Sequence, residues 1–437
     1  REEALQLFLG LLRIDTTNPP GLERAAAEYL AESLRKDGLE PQLLEKAKDR
    51  TSVVCRLKGT GEKPPLLLTG HLDVVAAEPS RWKHPPFAAV IDEGWIYARG
   101  AIDMKHMAAM SVMTLKLLKR SGVKLKRDLI FAGVADEEAG CHLGSHFLVA
   151  DHPELVRAEY TLGEIGGYTQ EMRGSRLYPI QIAQKGMAWV KVKVEGTPGH
   201  GSMPREDNAV LRMSEALAKL TPNALPMHAN EPARKLLKAF ASVQPFPGNV
   251  MLPQLLNPLL TSRVLKMIPD AGPRRALSAL IRNTVSPTVV HAGMKTNVIP
   301  SSAEAELDGR TVPGQTAQDL MREVQEVVGD HVKLELINEM PPIVMSDDTE
   351  MYRHLVDAVK KMDPKGIPVP LMIPGFTDAG PFAKLGTTWY GFAPVVFPEE
   401  PKVVFTDMYH GDNERIPVDG FHAGLDALHS VVQSWCA

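Results

Sequence analysis

The sequence predicts an α/β protein with a mainly parallel sheet flanked by helices and interrupted by an inserted α+β domain. Short apolar runs alternate with helical segments before Gly186 and again after about Gly314, which is typical of a parallel sheet covered on both faces. Between these points the strands alternate apolar and polar residues, as in a sheet with one wet face. We therefore predict one domain from residues 1–186 and 313–437, split by an insertion at 187–312.

The elements of the first domain follow from periodicity and from the residues that interrupt it. Helical spacing of apolar residues predicts helices that are stopped by Pro, Gly or both. The predicted helices of the part before the insertion are 2–14, 22–37 and 105–122, and its predicted strands are 51–59, 65–70, 127–135 and 158–164. After the insertion we predict helices at 317–329, 349–362 and 420–435 around a strand at 331–337.

The insertion has its own pattern. Alternation predicts strands at 187–196, 288–293 and 302–311, and apolar spacing predicts a helix at 207–220. A Pro- and Leu-rich stretch from Thr221 to about Thr284 lies between them. Its segment 246–268 is strongly apolar and has two interpretations, a wall that binds an acyl group or ordinary packing within a lid or a dimer contact.

Composition excludes several classes of protein. The 437 residues are 44% hydrophobic and 23% charged, with a net charge of −4, which excludes a disordered or fibrous chain. No basic tract indicates nucleic acid or an anionic membrane as a partner, and no apolar run is long enough for a transmembrane segment. The three cysteines show no metal-binding spacing and favour a reducing compartment by default. Because the chain starts at Arg1 and not at Met, we expect a trimmed N-terminus; a removed signal peptide would leave no trace, and the compartment stays open.

Five polar clusters fall at or near predicted strand ends, where active sites of such sheets lie. They are His71-Leu72-Asp73, the loop with Asp103, Asp136-Glu137-Glu138, Glu164, and His410. Taken singly, the first fits a hydrogen-bonded turn and Asp103 fits an ordinary helix N-cap. Three adjacent acids at a buried strand end are costly unless a cation is present. Two imidazoles with several carboxylates and no thiolate suit Zn²⁺, with Mn²⁺ or Co²⁺ as substitutes.

The order of the motifs resembles one family. TGHLDVV, ARGAIDMK, ADEEAG, LGEIGG, GTPGHGSMP, TNVIP and a late histidine together resemble the co-catalytic zinc peptidases and amidohydrolases. That family includes aminoacylase, acetylornithine deacetylase, succinyl-diaminopimelate desuccinylase, glutamate carboxypeptidase and Gly-X carboxypeptidase. The resemblance runs from residue 14 to residue 418 and implies a zinc-binding catalytic domain with an inserted lid and dimerisation domain.

The resemblance implies two Zn²⁺ per subunit. His71 and Glu164 would bind one ion, Glu138 and His410 the other, and Asp103 both. Asp73 would accept a hydrogen bond from His71 and so fix the tautomer of the imidazole.

It also implies how catalysis and substrate binding are divided. Glu137 would act as general base for a hydroxide that bridges the ions, and His200 would stabilise the oxyanion, reaching the partner's site in a homodimer formed through the lid. Arg310 would grip a substrate carboxylate bidentately, with Asn297 and the loop containing Gly375 and Asp378 beside it. That loop departs from the family's pattern, because Phe376 replaces a glycine and Gly380 stands where arginine is usual.

These residues predict hydrolysis of the amide of an N-acyl amino acid, with long or aromatic acyl groups if segment 246–268 is an acyl wall. The alternative substrate is a dipeptide or other short peptide with a free carboxylate. A second alternative, an inactive scaffold relative, is opposed by the presence of Glu137 and all five ligand positions. Neither a G-x-G-x-x-G turn after a first strand nor a Walker-type loop occurs, which argues against a nicotinamide or nucleotide role.

Overall fold

A computed structural model of the chain describes residues 1–400, 403 and 405–437, without the side chain of Thr406. The fold class predicted from the sequence is confirmed. The chain forms two compact units, the first from residues 1–182, 345–370 and 377–437 and the second from 183–344 and 371–376. No helix among the described residues is both long enough and apolar enough to cross a membrane.

The first 184 residues contain five helices and nine strands. The helices are α1 (Glu2–Leu12), α2 (Arg24–Arg35), α3 (Lys105–Ser121), α4 (Ser145–Asp151) and α5 (Pro153–Val156). The strands are β1 (Gln42–Ala47), β2 (Arg50–Leu57), β3 (Leu66–His71), β4 (Val90–Asp92), β5 (Trp95–Tyr97), β6 (Leu129–Val134), β7 (Tyr160–Gly163), β8 (Gln170–Met172) and β9 (Ser175–Gln184). Short 3₁₀ turns lie at Pro79–Arg81 and Glu137–Ala139.

The following segment forms most of the second unit. Its strands are β10 (Gly186–Glu195), β11 (Gly199–His200), β12 (Thr284–Ala292), β13 (Val298–Ile299), β14 (Ser302–Thr311), β15 (Lys333–Met340) and β16 (Ile343–Val344). Its helices are α6 (Ala209–Lys219), α7 (Glu231–Ser242), α8 (Gly248–Met251), α9 (Thr261–Met267), α10 (Ala271–Leu280) and α11 (Ala317–Val328), with a 3₁₀ turn at Leu252–Leu256. The C-terminal elements are α12 (Glu350–Met362), β17 (Ile367–Ile373), α13 (Ala379–Ala383), β18 (Thr388–Gly391), α14 (Phe405–Met408), β19 (Arg415–Pro417) and α15 (Val418–Cys436).

The sheet of the first unit is parallel at its centre. Its strand order includes β1-β2-β6-β3-β7-β18, and β6, β3, β7 and β18 run parallel to one another. The four parallel strands are apolar and buried, as expected for a sheet covered by helices. Helix α3 packs on β3 and lies against α1 and α15. It ends at Gly122, whose positive φ of 64° suits a glycine cap.

The second unit has a four-stranded antiparallel sheet in the order β12-β14-β10-β15. Helices α6 and α11 cover one face, and the inward residues of the strands form their core. The sequence placed residues 313–344 with the first domain, whereas the structure places them here. The reason is that β15 pairs with β10 and α11 packs against β10 and β14.

A buried lysine links two elements of this unit. The Nζ atom of Lys185 donates hydrogen bonds to the carbonyls of Ala279 and Arg282, at 3.0 and 2.9 Å, and to Thr284 Oγ1 at 3.0 Å. Ala279 lies at the end of α10, Thr284 begins β12, and Arg282 lies between the two elements. Burial lowers the pKa of Lys185 to about 7, because a low-dielectric site disfavours the charged ammonium.

Candidate metal centre and active site

The site is built at one edge of the parallel sheet. His71 is the last residue of β3 and lies opposite Val134, the last residue of β6, while Leu68 pairs with Leu162 of β7. Glu137 and Glu138 follow β6 on one side of His71, and Glu164 follows β7 on the other side. Carboxyl ends of parallel strands share an edge, which explains why the clusters at His71, at Glu137 and Glu138, and at Glu164 meet. Asp103 and His410 reach them from loops, the first just before α3 and the second just after α14.

Asp103 lies between the two histidines. His71 Nε2 is 2.9 Å from Asp103 Oδ1, and His410 Nε2 is 2.9 Å from Asp103 Oδ2. His71 Nε2 also lies 3.6 Å from Glu164 Oε2, and His410 Nε2 lies 3.3 Å from Glu138 Oε2. Each oxygen of Asp103 thus faces a different histidine, and each histidine has its own second carboxylate. The structure brings together all five residues that the sequence analysis assigned as metal ligands.

The charges of the cluster fit a cation. Burial raises the pKa values of Glu137, Glu138 and Glu164, and neighbouring carboxylates raise them further. Glu138 Oε1 and Glu164 Oε1 are buried and have no hydrogen-bond partner among the described residues. Candidate ligand atoms of His71, Glu137 and Glu164, and of His71, Asp103 and Glu138, lie within 4.8 Å of one another. Because unpaired buried carboxylates are costly, this set is suited to divalent ions.

Asp73 contacts different groups from those expected. His71 Nδ1 donates to the backbone carbonyl of Asp73 at 2.9 Å, and the Asp73 carboxylate is 3.7 Å from that nitrogen. The predicted acceptor of this hydrogen bond was the Asp73 carboxylate. That prediction is wrong, because the observed acceptor is the Asp73 backbone carbonyl. The carboxylate accepts hydrogen bonds from the backbone N–H groups of Glu137 at 3.2 Å and Glu138 at 3.1 Å, and from the Asn18 amide at 2.8 Å. Asp73 thus holds the turn that carries the two glutamates.

Asp136, the first of the three adjacent acids, is paired within the protein. Arg50 Nη2 donates to Asp136 Oδ1 at 2.7 Å, and Arg50 also makes two 2.8 Å contacts with Glu23. Asp136 has a positive φ of 68°, a conformation that Asp adopts more readily than most residues. Arg50 thus neutralises one of the acids and leaves Glu137 and Glu138 for the site.

Glu414 fixes the loop that carries Asp103, and the sequence analysis assigned it no role. Its fully buried carboxylate accepts hydrogen bonds from Arg99 Nη1 at 2.8 Å and from the N–H groups of Gly100 and Asp103 at 3.0 Å, as well as from Ile102 N–H. The sequence offered one signal for this role. Glu414 lies four residues after the predicted metal ligand His410 and next to a strand.

Tyr409 was also missed. Its hydroxyl lies 3.0 Å from Asp103 Oδ1 and 3.1 Å from Glu164 Oε2, and so can donate to either carboxylate. The residue immediately precedes His410 in the chain, which was the only hint in the sequence. Tyr409 therefore supports two of the candidate ligands.

Asp378 lies in the buried interior of the first unit. Ser145 Oγ donates to Asp378 Oδ1 at 2.5 Å, the residue is 2% exposed, and burial raises its pKa to about 7. The loop around it begins α13, where Thr377 Oγ1 accepts from Ala379 N–H. The predicted contact of Asp378 with substrate stays a prediction.

The sequence of residues 67–434 matches the model of peptidase family M20/M25/M40. The chain belongs to this family. It is therefore a metal-dependent hydrolase of amide bonds, and the family assigned by resemblance is confirmed.

Two curated relatives and one solved structure illustrate the similarity. The N-fatty-acyl-amino acid synthase/hydrolase PM20D1 of Xenopus tropicalis is 31% identical over 381 residues, which cover 85% of this chain and 72% of that protein. Aminoacylase-1 of Mus musculus is 27% identical over 433 residues, covering 97% and 93%. The M20 family metallo-carboxypeptidase Sso-CP2 of Sulfolobus solfataricus shares the fold, with a TM-score of 0.75, 20% identity, and coverage of 99% and 98%.

In this M20 protein, His200 and Asn297 are neighbours within the second unit. His200, in β11, pairs with Val298 of β13, and the Asn297 carbonyl accepts from Gly201 N–H at 2.9 Å. His200 is exposed, and Ser202 Oγ lies 2.8 Å from its Nδ1. The opposite ring nitrogen, Nε2, is therefore the atom available to a ligand. Gly375 is half-buried in the same unit.

Arg310 is held by two neighbours in that unit. Its Nε and Nη2 atoms donate to the two Asp308 oxygens at 2.8 and 3.1 Å, and its guanidinium lies 5.1 Å from the centre of the Phe376 ring. Buried Nη1 has no partner among the described residues. The Nε and Nη2 donors of Arg310 are thus occupied by Asp308. Its Nη1 atom remains available to a ligand. Phe376, the departure from the family's pattern, is a cation–π platform for this arginine.

Proposed function

We propose that this M20 enzyme hydrolyses N-acyl amino acids to a carboxylic acid and a free amino acid, and that long-chain acyl groups are its preferred substrates. The observation that carries the hydrolytic part is the convergence of five candidate ligands around buried Glu137. The names of the two curated relatives support the N-acyl amino acid class. The apolar character of segment 246–268 supports a long acyl chain.

We propose two Zn²⁺ as the resident metals. His71 and Glu164 would hold one ion, Glu138 and His410 the other, and Asp103 would contribute one oxygen to each. The borderline donor set of imidazoles and carboxylates supports zinc. When bound, the ions supply a water of lowered pKa and polarisation of the scissile carbonyl.

The protein's own groups would handle the proton and hold the geometry. Glu137 accepts the proton of the attacking water on a carboxylate oxygen and delivers it to the leaving amine. Asp73 keeps the Glu137 turn in place through two backbone hydrogen bonds. Tyr409 and Glu414 keep Asp103 oriented.

Residues of the second unit would bind the rest of the substrate. Arg310 would meet the α-carboxylate through Nη1, with Asn297 and the Gly375 loop beside it. His200 would donate a hydrogen bond to the oxyanion from Nε2, acting on the active site of the partner in a homodimer formed through this unit. Its exposure and its hydrogen bond to Ser202 support that role.

A hydrolysis screen tests the proposal. Protein reconstituted with Zn²⁺ is assayed on N-acetyl, N-lauroyl and N-aromatic amino acids and on dipeptides, alongside Glu137→Gln and the exposed control Glu335→Gln. We expect N-lauroyl substrates to be fastest and Glu137→Gln to lose roughly 10²–10⁴-fold in kcat while retaining metal. The control should retain full activity, because Glu335 is exposed on β15.

The other outcomes assign different functions. Faster cleavage of dipeptides would assign the enzyme to the peptidases and return segment 246–268 to packing. Absence of turnover together with absence of bound metal would overturn the proposal. For His200, full activity of a strictly monomeric protein in analytical ultracentrifugation would remove the role across subunits.

A further inference from the structure

Residues 231–280 of the second unit form a helical cluster with large exposed apolar side chains. Helix α7 packs against α8 and the 3₁₀ turn, and α9 packs against the same turn. Phe246 is 81% exposed and Leu259 is 86% exposed, and Val250 and Met267 are exposed as well. Such side chains at successive turns of one cluster mark a surface for interaction.

These side chains do not contribute to the packing of the cluster. Its interior is made by other apolar residues, including Leu236, Leu237, Leu255, Val264 and Leu265, which are nearly inaccessible to solvent. Phe246 lies between two prolines and Leu259 follows Pro258, so both side chains stand at turns between helices. The fold therefore does not require Phe246 and Leu259 to be apolar.

Basic residues outnumber acidic residues in this cluster. Residues 232–269 contain no Asp or Glu and five Lys or Arg, in a chain whose net charge is −4. Lys238, Arg263 and Lys266 are exposed and form no ion pair with any described acidic residue. Because no more than two of these basic residues are adjacent in the chain, at Arg234 and Lys235, the sequence shows no basic tract. Folding collects them on one cluster of helices.

We propose that this cluster docks the enzyme on an anionic lipid surface, with Phe246 and Leu259 inserted among the acyl chains. Exposed apolar side chains flanked by Lys and Arg are the combination that interfacial helices use. A second copy of this chain fits less well. In a two-fold dimer the same patch faces itself, and two patches in which basic residues outnumber the acidic Glu231 and Asp270 repel each other. The proposal uses the exposed side chains of segment 246–268, whose apolar character also supports the long-chain substrate proposed above, and its vesicle test does not depend on that substrate.

Vesicle co-sedimentation of the full chain tests the proposal. Vesicles of phosphatidylcholine alone are compared with vesicles that also contain phosphatidylglycerol, at low and high salt. We expect binding to the anionic vesicles only, weakened by salt. The double variant Phe246→Ser/Leu259→Ser should bind at least about tenfold more weakly, and Arg263→Gln/Lys266→Gln about fivefold more weakly per charge removed.

A matched control separates docking from general hydrophobicity. Met294→Ser removes a fully exposed apolar side chain of the same unit outside the cluster, and should bind vesicles as the unaltered protein does. Met294→Ser should also leave hydrolysis of a soluble N-acetyl substrate unchanged, because Met294 lies outside segment 246–268. Equal binding to neutral vesicles, absence of binding, or a loss of self-association in Phe246→Ser/Leu259→Ser without vesicles would each overturn the proposal.

Discussion

Replacement of Glu414 by glutamine changes one atom of a buried carboxylate that receives four hydrogen bonds. Oε2 accepts from Arg99 and from Gly100 N–H, and Oε1 accepts from Ile102 N–H and Asp103 N–H. A glutamine amide has one acceptor oxygen and one NH₂ group. In either orientation of the glutamine amide, its NH₂ group faces two buried donors, which then have no acceptor.

The cost follows from the number of donors that lose their acceptor. Each buried N–H left without a partner costs about 1–3 kcal/mol, and the Arg99 guanidinium loses its compensating charge at the same time. We therefore expect Glu414→Gln to lower the free energy of unfolding by about 3–5 kcal/mol. Because Asp103 is held by one of these bonds, we also expect metal affinity to fall about 10–100-fold.

Urea unfolding and metal titration against a competing chelator measure these effects, with Glu335→Gln as a control at an exposed ion pair. The control should change stability by less than about 0.5 kcal/mol. If Glu414→Gln unfolds within 1 kcal/mol of the unaltered protein and binds metal equally well, the view of Glu414 as the anchor of the Asp103 loop is refuted.

Asp73→Asn should weaken metal binding about 10–100-fold, because one of its two oxygens no longer accepts from the turn; an unchanged chelator titration would contradict this. Phe376→Leu should raise KM for a substrate with a free carboxylate about 2–5-fold through loss of the cation–π contact to Arg310, while a matched carboxamide substrate and Phe376→Tyr show no change. The pKa of Lys185 in the folded protein is lowered to about 7. Between that pH and about 10 the unfolded chain binds more protons than the folded chain. The free energy of unfolding therefore rises with pH across this range, by at most about 1.4 kcal/mol per pH unit. Lys185→Met should flatten that rise in urea unfolding measured across the range, and parallel curves would contradict the assignment.

Local sequence patterns were sufficient for the parallel sheet and for the residues at its edge. Helix α3 and strand β3 follow from apolar runs that end at Gly122 and at His71, and the order of parallel strands then brings the polar ends together. These features depend on neighbours in the chain, which a sequence displays directly.

Contacts between distant segments could not be read in the same way. The pairing of Arg310 with Phe376 joins residues 66 positions apart. The buried bonds of Glu414 join it to a loop more than 300 residues earlier. A charged residue shows its type in the sequence, but its partner is decided by which loops meet after folding.

The interrupted course of the first unit has a consequence during synthesis. Strand β18, which pairs with β7, and His410 are made only after residues 183–344 of the second unit have been translated. Domains generally fold as they emerge, so the inserted unit can be largely formed while the sheet of the first unit still lacks its last parallel strand. A nascent chain that stalls before residue 388 therefore presents a free edge of β7, ready to pair with a strand of another molecule.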